Sequence, residues 1–157
     1  MALNMADLFE HAVDTFPDRV ALICGDRQVT YTELERRSNQ LAHCLAAAGV
    51  GTGDHVGVYG RNSIELVEAF LACYKLRAIP VNVNYRYVEA ELRYLFSEAE
   101  LKGLVFDRQY SDKVAALLPS SIARSARIPG KSGSNAVTLS PNCRSKTRPL
   151  SSASLNR

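Results

Sequence analysis

At 157 residues and 46% apolar content, the chain has room for one globular domain and a tail. Its net charge of +3 is unevenly held: residues 1–120 carry 12 Lys+Arg against 16 Asp+Glu, while residues 121–157 carry 7 Lys+Arg and no acid. The mildly acidic body argues against a nucleic-acid surface, and no apolar run approaches the ~18 residues of a membrane span.

The N-terminal stretch MALNMADLFEHAVDTFPD has no basic n-region ahead of a long apolar core, so it does not read as a signal peptide. Met5, Leu8, Phe9, Ala12, Val13 and Phe16 instead recur at helical spacing, with Asn4 and Asp7 at N-cap and N3 and Pro17 as the stop. VALICGDRQVTY reads as two strands turning at Gly25-Asp26. Thr30 and Glu33 form a capping box for a helix with Leu34, Leu41, Ala42, Leu45 and Ala48 on one face, and Gly49 suits its C′ position. A short strand over His55–Tyr59 leads into a helix capped by Asn62 or Ser63, with Ile64, Val67, Phe70, Leu71 and Tyr74 apolar. A strand at Ala78–Val83, a helix near Val88–Ala99, a strand at Gly103–Phe106 and a last helix at Val114–Leu118 complete the pattern. The expected fold class is therefore α/β: a parallel sheet with helices packed on it, preceded by a short β-hairpin.

Chemistry is sparse. The Gly49–Asp54 run leaves a helix and enters a strand, the reverse of a phosphate loop, which sets aside a Rossmann-like nucleotide module. No GxxxxGK[ST] is present. The turn Tyr59–Ser63 has the right polarity for an anion, and Arg61 would help hold one, but capping by Asn62 with Glu65 at N3 is the plainer reading. His11, His43 and His55 are scattered, and Ser63 lacks a GxSxG elbow. Lys75, Arg77, Arg86 and Arg93 form a loose basic group read mainly as solvated charge. Cys24, Cys44 and Cys73 read as reduced core thiols, because no CxxC or paired His suggests a metal site.

Four stretches give the function class. Phe16–Leu22 (FPDRVAL), Val29–Leu34 (VTYTEL), Gly49–Val56 (GVGTGDHV) and Leu71–Arg86 (LACYKLRAIPVNVNYR) together resemble the N-terminal region of AMP-binding, adenylate-forming acyl-CoA synthetases. The wording of Asn82–Arg86 is similar to that of bacterial fatty-acid ligases. Arg77 stands where that family usually has Gly, and Asn84 where it usually has Pro. The resemblance implies residues 1–120 as an N-terminal subdomain of a fatty-acid–CoA ligase. Residues 121–157 form a Ser/Arg-rich segment, expected to be disordered and read as a wrong-frame or unrelated extension.

The whole family's reaction joins fatty acid, ATP and CoA to give acyl-CoA, AMP and pyrophosphate, with Mg²⁺. The Ser/Thr/Gly-rich phosphate loop and the catalytic lysine it needs are not among these residues. The expectation is thus a truncated ligase, inactive alone, with no cofactor of its own, no catalytic or metal residue, and a cytoplasmic location. Arg86 and Arg93 are the candidates for contact with CoA phosphate. The alternative is a non-catalytic fragment that docks on another protein. Self-association through exposed apolar surface is expected in either case.

Overall fold

The computed structural model describes residues 4–117, 126–127 and 136–138. In chain order the elements are α1 (Met5–Thr15), β1 (Val20–Cys24), β2 (Arg27–Thr30), α2 (Tyr31–Ala47), β3 (His55–Gly60), α3 (Ile64–Lys75), β4 (Ile79–Asn84), α4 (Glu89–Glu98), β5 (Leu101–Phe106), a 3₁₀ turn (Arg108–Tyr110), α5 (Ser111–Leu117), β6 (Ala126–Arg127) and β7 (Ala136–Thr138). β1 and β2 pair antiparallel as the expected hairpin, with Gly25 at φ 58° in its turn. β3 lies between β4 and β5 and is parallel to both. The order β4-β3-β5 is continued by β7 and β6, each antiparallel to its neighbour. The disordered-tail reading otherwise falls outside the described residues. No helix among those residues is long and apolar enough to cross a membrane.

Period-two alternation in the central strands separates two cores. Val56, Val58 and Val105 meet Leu41, Leu45, Ala69, Ala72 and Cys73 of α2 and α3. Tyr59, Leu104 and Phe106 instead meet Leu92 and Phe96 of α4 and Val114 and Leu117 of α5. Gly57 looks toward this second core, where a Cβ would stand 2.5 Å from Leu104 Cδ1 and 3.0 Å from Leu101 Cδ1. A third cluster seats the hairpin, through Val29, on Leu34 of α2 and on Ile64 and Leu71 of α3.

The caps follow the local rules. Asn4 and Asp7 form the full box at α1, and Thr30 Oγ1 accepts from the Glu33 N–H at 3.3 Å. Gly49 takes φ 91° after α2. At α3 the cap is Ser63, whose Oγ accepts from Leu66 N–H at 3.1 Å. Glu65 then turns to Arg27 of the hairpin at 2.6 Å. Burial alone would raise the Glu65 carboxyl, but the hydrogen bond from Arg27 and the charges of Arg27 and Arg37 hold it below its usual value. Cys24 and Cys73 are free thiols, and burial pushes Cys73 up to about 12, which leaves it inert at neutral pH. Cys44, expected to be a third reduced core thiol, is disulfide-bonded.

Helix α1 departs from its periodicity: Met5 and Leu8 are exposed, and Ala6 is its buried residue. Polar ties fix it. Asn4 Nδ2 donates to the Tyr74 carbonyl at 3.0 Å, Asp7 pairs with Arg77, and Glu10 pairs with Lys75. Arg77 sits at φ 57°, which explains why glycine suits this position. The left-handed backbone costs a non-glycine residue about 1–2 kcal/mol. The Arg77 guanidinium, 3.0 Å from Asp7 Oδ1, offsets part of that cost. Arg77→Gly is therefore expected to shift stability by less than about 0.5 kcal/mol in the parent chain, since relief of φ and loss of the pair cancel. In an Asp7→Ala background the same change should stabilise by about 0.5–1 kcal/mol. Urea midpoints of the four chains decide it; equal effects of Arg77→Gly in both backgrounds would remove the Asp7 contribution.

Candidate functional site

The strand order creates the site. β3 hands the chain to β4 on one side, and β5 returns on the other, so the connections diverge at the carboxyl ends of the strands. In open α/β sheets this is where ligands sit. Three chain segments meet here, placed by register: Gly60 pairs with Asn84, and Tyr59 with Phe106.

After β4 the chain turns at once. Asn84 Oδ1 accepts from Arg86 N–H at 3.0 Å, and the Asn84 carbonyl accepts from Tyr87 N–H at 3.1 Å. The side chain of Asn84 thus closes an Asx turn, the local job a proline would otherwise do at this bend. The turn presents Tyr85 and Arg86. The Arg86 guanidinium lies 5.6 Å from the Tyr85 ring centroid, and its Nε donates to Tyr85 Oη at 3.2 Å. Arg61, one residue past the paired Gly60, lies 5.4 Å from the same ring. Both are within the ≈6 Å reach of a cation–π contact. Neither makes an ion pair among the described residues.

After β5, Asp107 N–H donates to the Tyr59 carbonyl at 2.9 Å, and its carboxylate accepts from the backbone and side-chain N–H groups of Gln109 at 3.2 and 2.7 Å. Asp107 therefore caps the 3₁₀ turn and does not neutralise Arg61. The crevice among Gly60, Ser63, Leu66 and Asp107 is about 10 Å³, room for at most one water. A ligand here must lie across the outside, on Arg61, Tyr85 and Arg86. Beneath, Tyr59 packs on Tyr110 with ring centroids 4.5 Å apart, and burial pushes its phenol above the usual value. That aromatic pair is a support for the strand ends.

The basic group seen in the sequence divides. Lys75 is fully buried, 2.7 Å from Glu10 and 2.9 Å from Glu35. Arg77 is held by Asp7. Arg93 lies on the exposed side of α4, 2.8 Å from Glu89 one turn earlier. The structure does not bring Arg93 into the Arg61–Tyr85–Arg86 group by any contact among the described residues. Sequence reasoning ranked Arg61 low because the turn reads as a cap, and Ser63 does cap it. The missed signal was the strand register, which sets position 61 beside 85.

A larger opening of about 620 Å³ flanks α4, lined by Tyr87, Tyr94 and Leu95 together with Glu91 and Glu98. Its acids have the wrong sign for a phosphate or a carboxylate. Among the described residues no three His, Cys, Asp or Glu side chains are arranged to hold a metal ion.

Against known proteins, the model of the AMP-binding enzyme family matches residues 9–151. The chain belongs to the AMP-binding enzyme family. Within that family it is 58% identical over 121 residues to a 3-oxocholest-4-en-26-oate–CoA ligase of Rhodococcus rhodochrous. It is equally identical over 121 residues to a medium/long-chain-fatty-acid–CoA/3-oxocholest-4-en-26-oate–CoA ligase of Mycobacterium marinum. Each match takes in 77% of this chain but only 22% of the relative. A solved structure from Rhodopseudomonas palustris CGA009, assigned as a long-chain-fatty-acid CoA ligase, superposes with a TM-score of 0.78 at 29% identity, over 95% of this chain and 38% of that one. The N-terminal subdomain of NpsA from Klebsiella oxytoca gives a TM-score of 0.66 at 31% identity, over 76% of this chain and 29% of its own. The family resemblance carried by the four sequence stretches is thereby borne out, and so is the α/β subdomain.

Proposed function

We propose that this chain supplies the N-terminal α/β subdomain of an ATP-dependent, AMP-forming acid–CoA ligase, acting on fatty or steroid-derived carboxylic acids. The 157 residues do not adenylate an acid unaided. The observation that carries this reading is the 58% identity to such ligases over 121 residues, set beside a coverage of only 22% of their length. Adenylation needs donors aimed at charge as it develops on the triphosphate. The Ser132-Gly133-Ser134 run is too short for a Ser/Thr/Gly-rich phosphate loop and has no Lys following it to provide them.

In the same reading, ATP and Mg²⁺ belong to the whole ligase. Arg86 contributes to CoA phosphate through its guanidinium beyond Tyr85. Arg93 would reach CoA only by releasing Glu89. The chemistry of this turn supports a phosphate contact, since Arg61 and Arg86 each lie within about 6 Å of the Tyr85 ring and neither makes an ion pair among the described residues. A cytoplasmic location and self-association belong to this proposal too. Exposed Ile23, Val88 and Tyr94 support the latter. The docking-fragment alternative has no specific observation in its favour.

Two measurements test the proposal. Purified chain should give pyrophosphate exchange at the no-protein rate with medium- and long-chain acids; clear exchange overturns the claim that it cannot adenylate alone. Residues 5–118, grafted in place of the matching segment of the R. rhodochrous relative, should preserve acyl-CoA formation. A folded but inactive chimera overturns the ligase reading.

A further inference from the structure

We infer that the chain closes on itself through a disulfide between Cys44 of α2 and Cys143, a redox-sensitive clasp that ties the segment beyond β7 to the body of the subdomain. This clasp uses none of the residues on which the ligase reading rests.

The cysteines identify the pair. The chain has four, at positions 24, 44, 73 and 143. Cys24 and Cys73 are free thiols, whereas Cys44 is disulfide-bonded. Cys73 shares a core with Cys44 and is fully buried there, yet it is not the partner. Within one chain, elimination leaves Cys143.

The topology brings the two ends together. β7 runs antiparallel to β5, from Ala136 opposite Phe106 to Thr138 opposite Leu104. The chain therefore leaves β7 heading for the amino ends of the parallel strands. Cys44 stands at that same end. Helix α2 closes just beyond it at Ala47, and the chain then enters β3 at His55, which pairs with Leu101 at the start of β5. The stretch from Thr138 to Cys143 can span about 17 Å when extended, against about 10 Å for the two strand spacings from β7 to β3.

Closing the clasp takes two electrons, which a small-molecule disulfide such as oxidised glutathione accepts. One cysteine thiolate attacks the reagent, forms a mixed disulfide and expels one thiolate. The second cysteine then displaces the other, so the cysteines' two protons end on two reagent thiols. A dithiol reverses both steps. The finished bond encloses roughly a hundred residues, and a loop of that length strongly restricts the unfolded chain.

The full 157-residue chain, equilibrated with oxidised glutathione and then denatured, should show two free thiols, those of Cys24 and Cys73, and four after dithiothreitol. Trypsin without reduction should release peptides 38–61 and 132–144 as one species, two hydrogens lighter than their sum, which dithiothreitol separates. The oxidised chain should melt about 5–10 °C above the reduced one. Cys143→Ser should leave three thiols and melt with the reduced parent, indifferent to dithiothreitol. Cys24→Ser should keep both the linked peptides and the shift. Four free thiols in the oxidised chain would overturn the clasp, as would a linked species containing peptide 20–27 or 62–75 in place of 132–144. A linked species confined to the dimer band of a non-reducing gel would place the bond between chains and also overturn it. An oxidised, linked chain that melts with the reduced one would show that the bond does not hold the segment to the body. None of these failures touches the ligase reading, which the chimera's acyl-CoA formation judges separately.

Discussion

Replacing Lys75 by methionine is expected to destabilise the chain by about 3 kcal/mol. The Lys75 side chain is fully buried at the end of α3, and its ammonium touches Glu10 Oε1 of α1 at 2.7 Å and Glu35 Oε1 of α2 at 2.9 Å. Asn39 Nδ2 donates to the same Glu35 oxygen at 2.8 Å. Three helices thus converge on one cation. Methionine fills the volume but leaves two carboxylates, each only 19% exposed, facing a neutral thioether. Stranded buried charge of this kind costs more than the intact pair contributes. Converting the group together, as Glu10→Gln, Glu35→Leu and Lys75→Met, is expected to recover most of the loss. Urea unfolding of the single and triple variants checks both. A single variant within about 1 kcal/mol of the parent would show that Lys75 does not hold these carboxylates.

The second large effect is at the centre of the sheet. Leu104→Ala on β5 is expected to cost about 3 kcal/mol, since Leu104 is fully buried among Tyr59, Val83, Leu92 and Phe106. Gly57→Ala on β3 is expected to cost about 1–3 kcal/mol for the opposite reason. Its new methyl would stand 2.5 Å from Leu104 Cδ1, closer than carbon atoms approach. The two costs should not add. With Leu104 shortened, the methyl at position 57 enters space already vacated, and alanine suits a strand better than glycine. The double variant should be no less stable than Leu104→Ala alone, a coupling above about 1 kcal/mol. Additive losses in a double-mutant cycle would show that the methyl meets something other than Leu104.

The alternating order of helices and strands was legible because each element carries its own local signal. Asn4 with Asp7, Thr30 before Glu33, and Gly25 and Gly49 at positive φ depend only on neighbours in the chain. The strand Val56–Tyr59 announced burial on both faces by its unbroken apolar run, and helices on both faces is what it received. Helix α1 is the counter-example. Its apolar spacing predicts an inward Met5 and Leu8, yet both are exposed, because Glu10 finds the buried Lys75 at the end of α3 and Asp7 the half-buried Arg77 two residues beyond it. Periodicity ranks residues by hydrophobicity alone, and it cannot see that Lys75, some sixty positions away, offers a carboxylate a dry partner.

The candidate site was only half visible for the same reason. Arg86 could be named from the Asn82–Arg86 wording, but its neighbour on Tyr85 is Arg61, and Arg93 turns instead to Glu89. Local propensity and motif order were enough to assign the α/β class, the caps and the AMP-binding ancestry, since these are written in short stretches of consecutive residues. Which charges face one another was decided by strand register and helix docking. Those depend on packing between distant segments, and no window along the chain contains them.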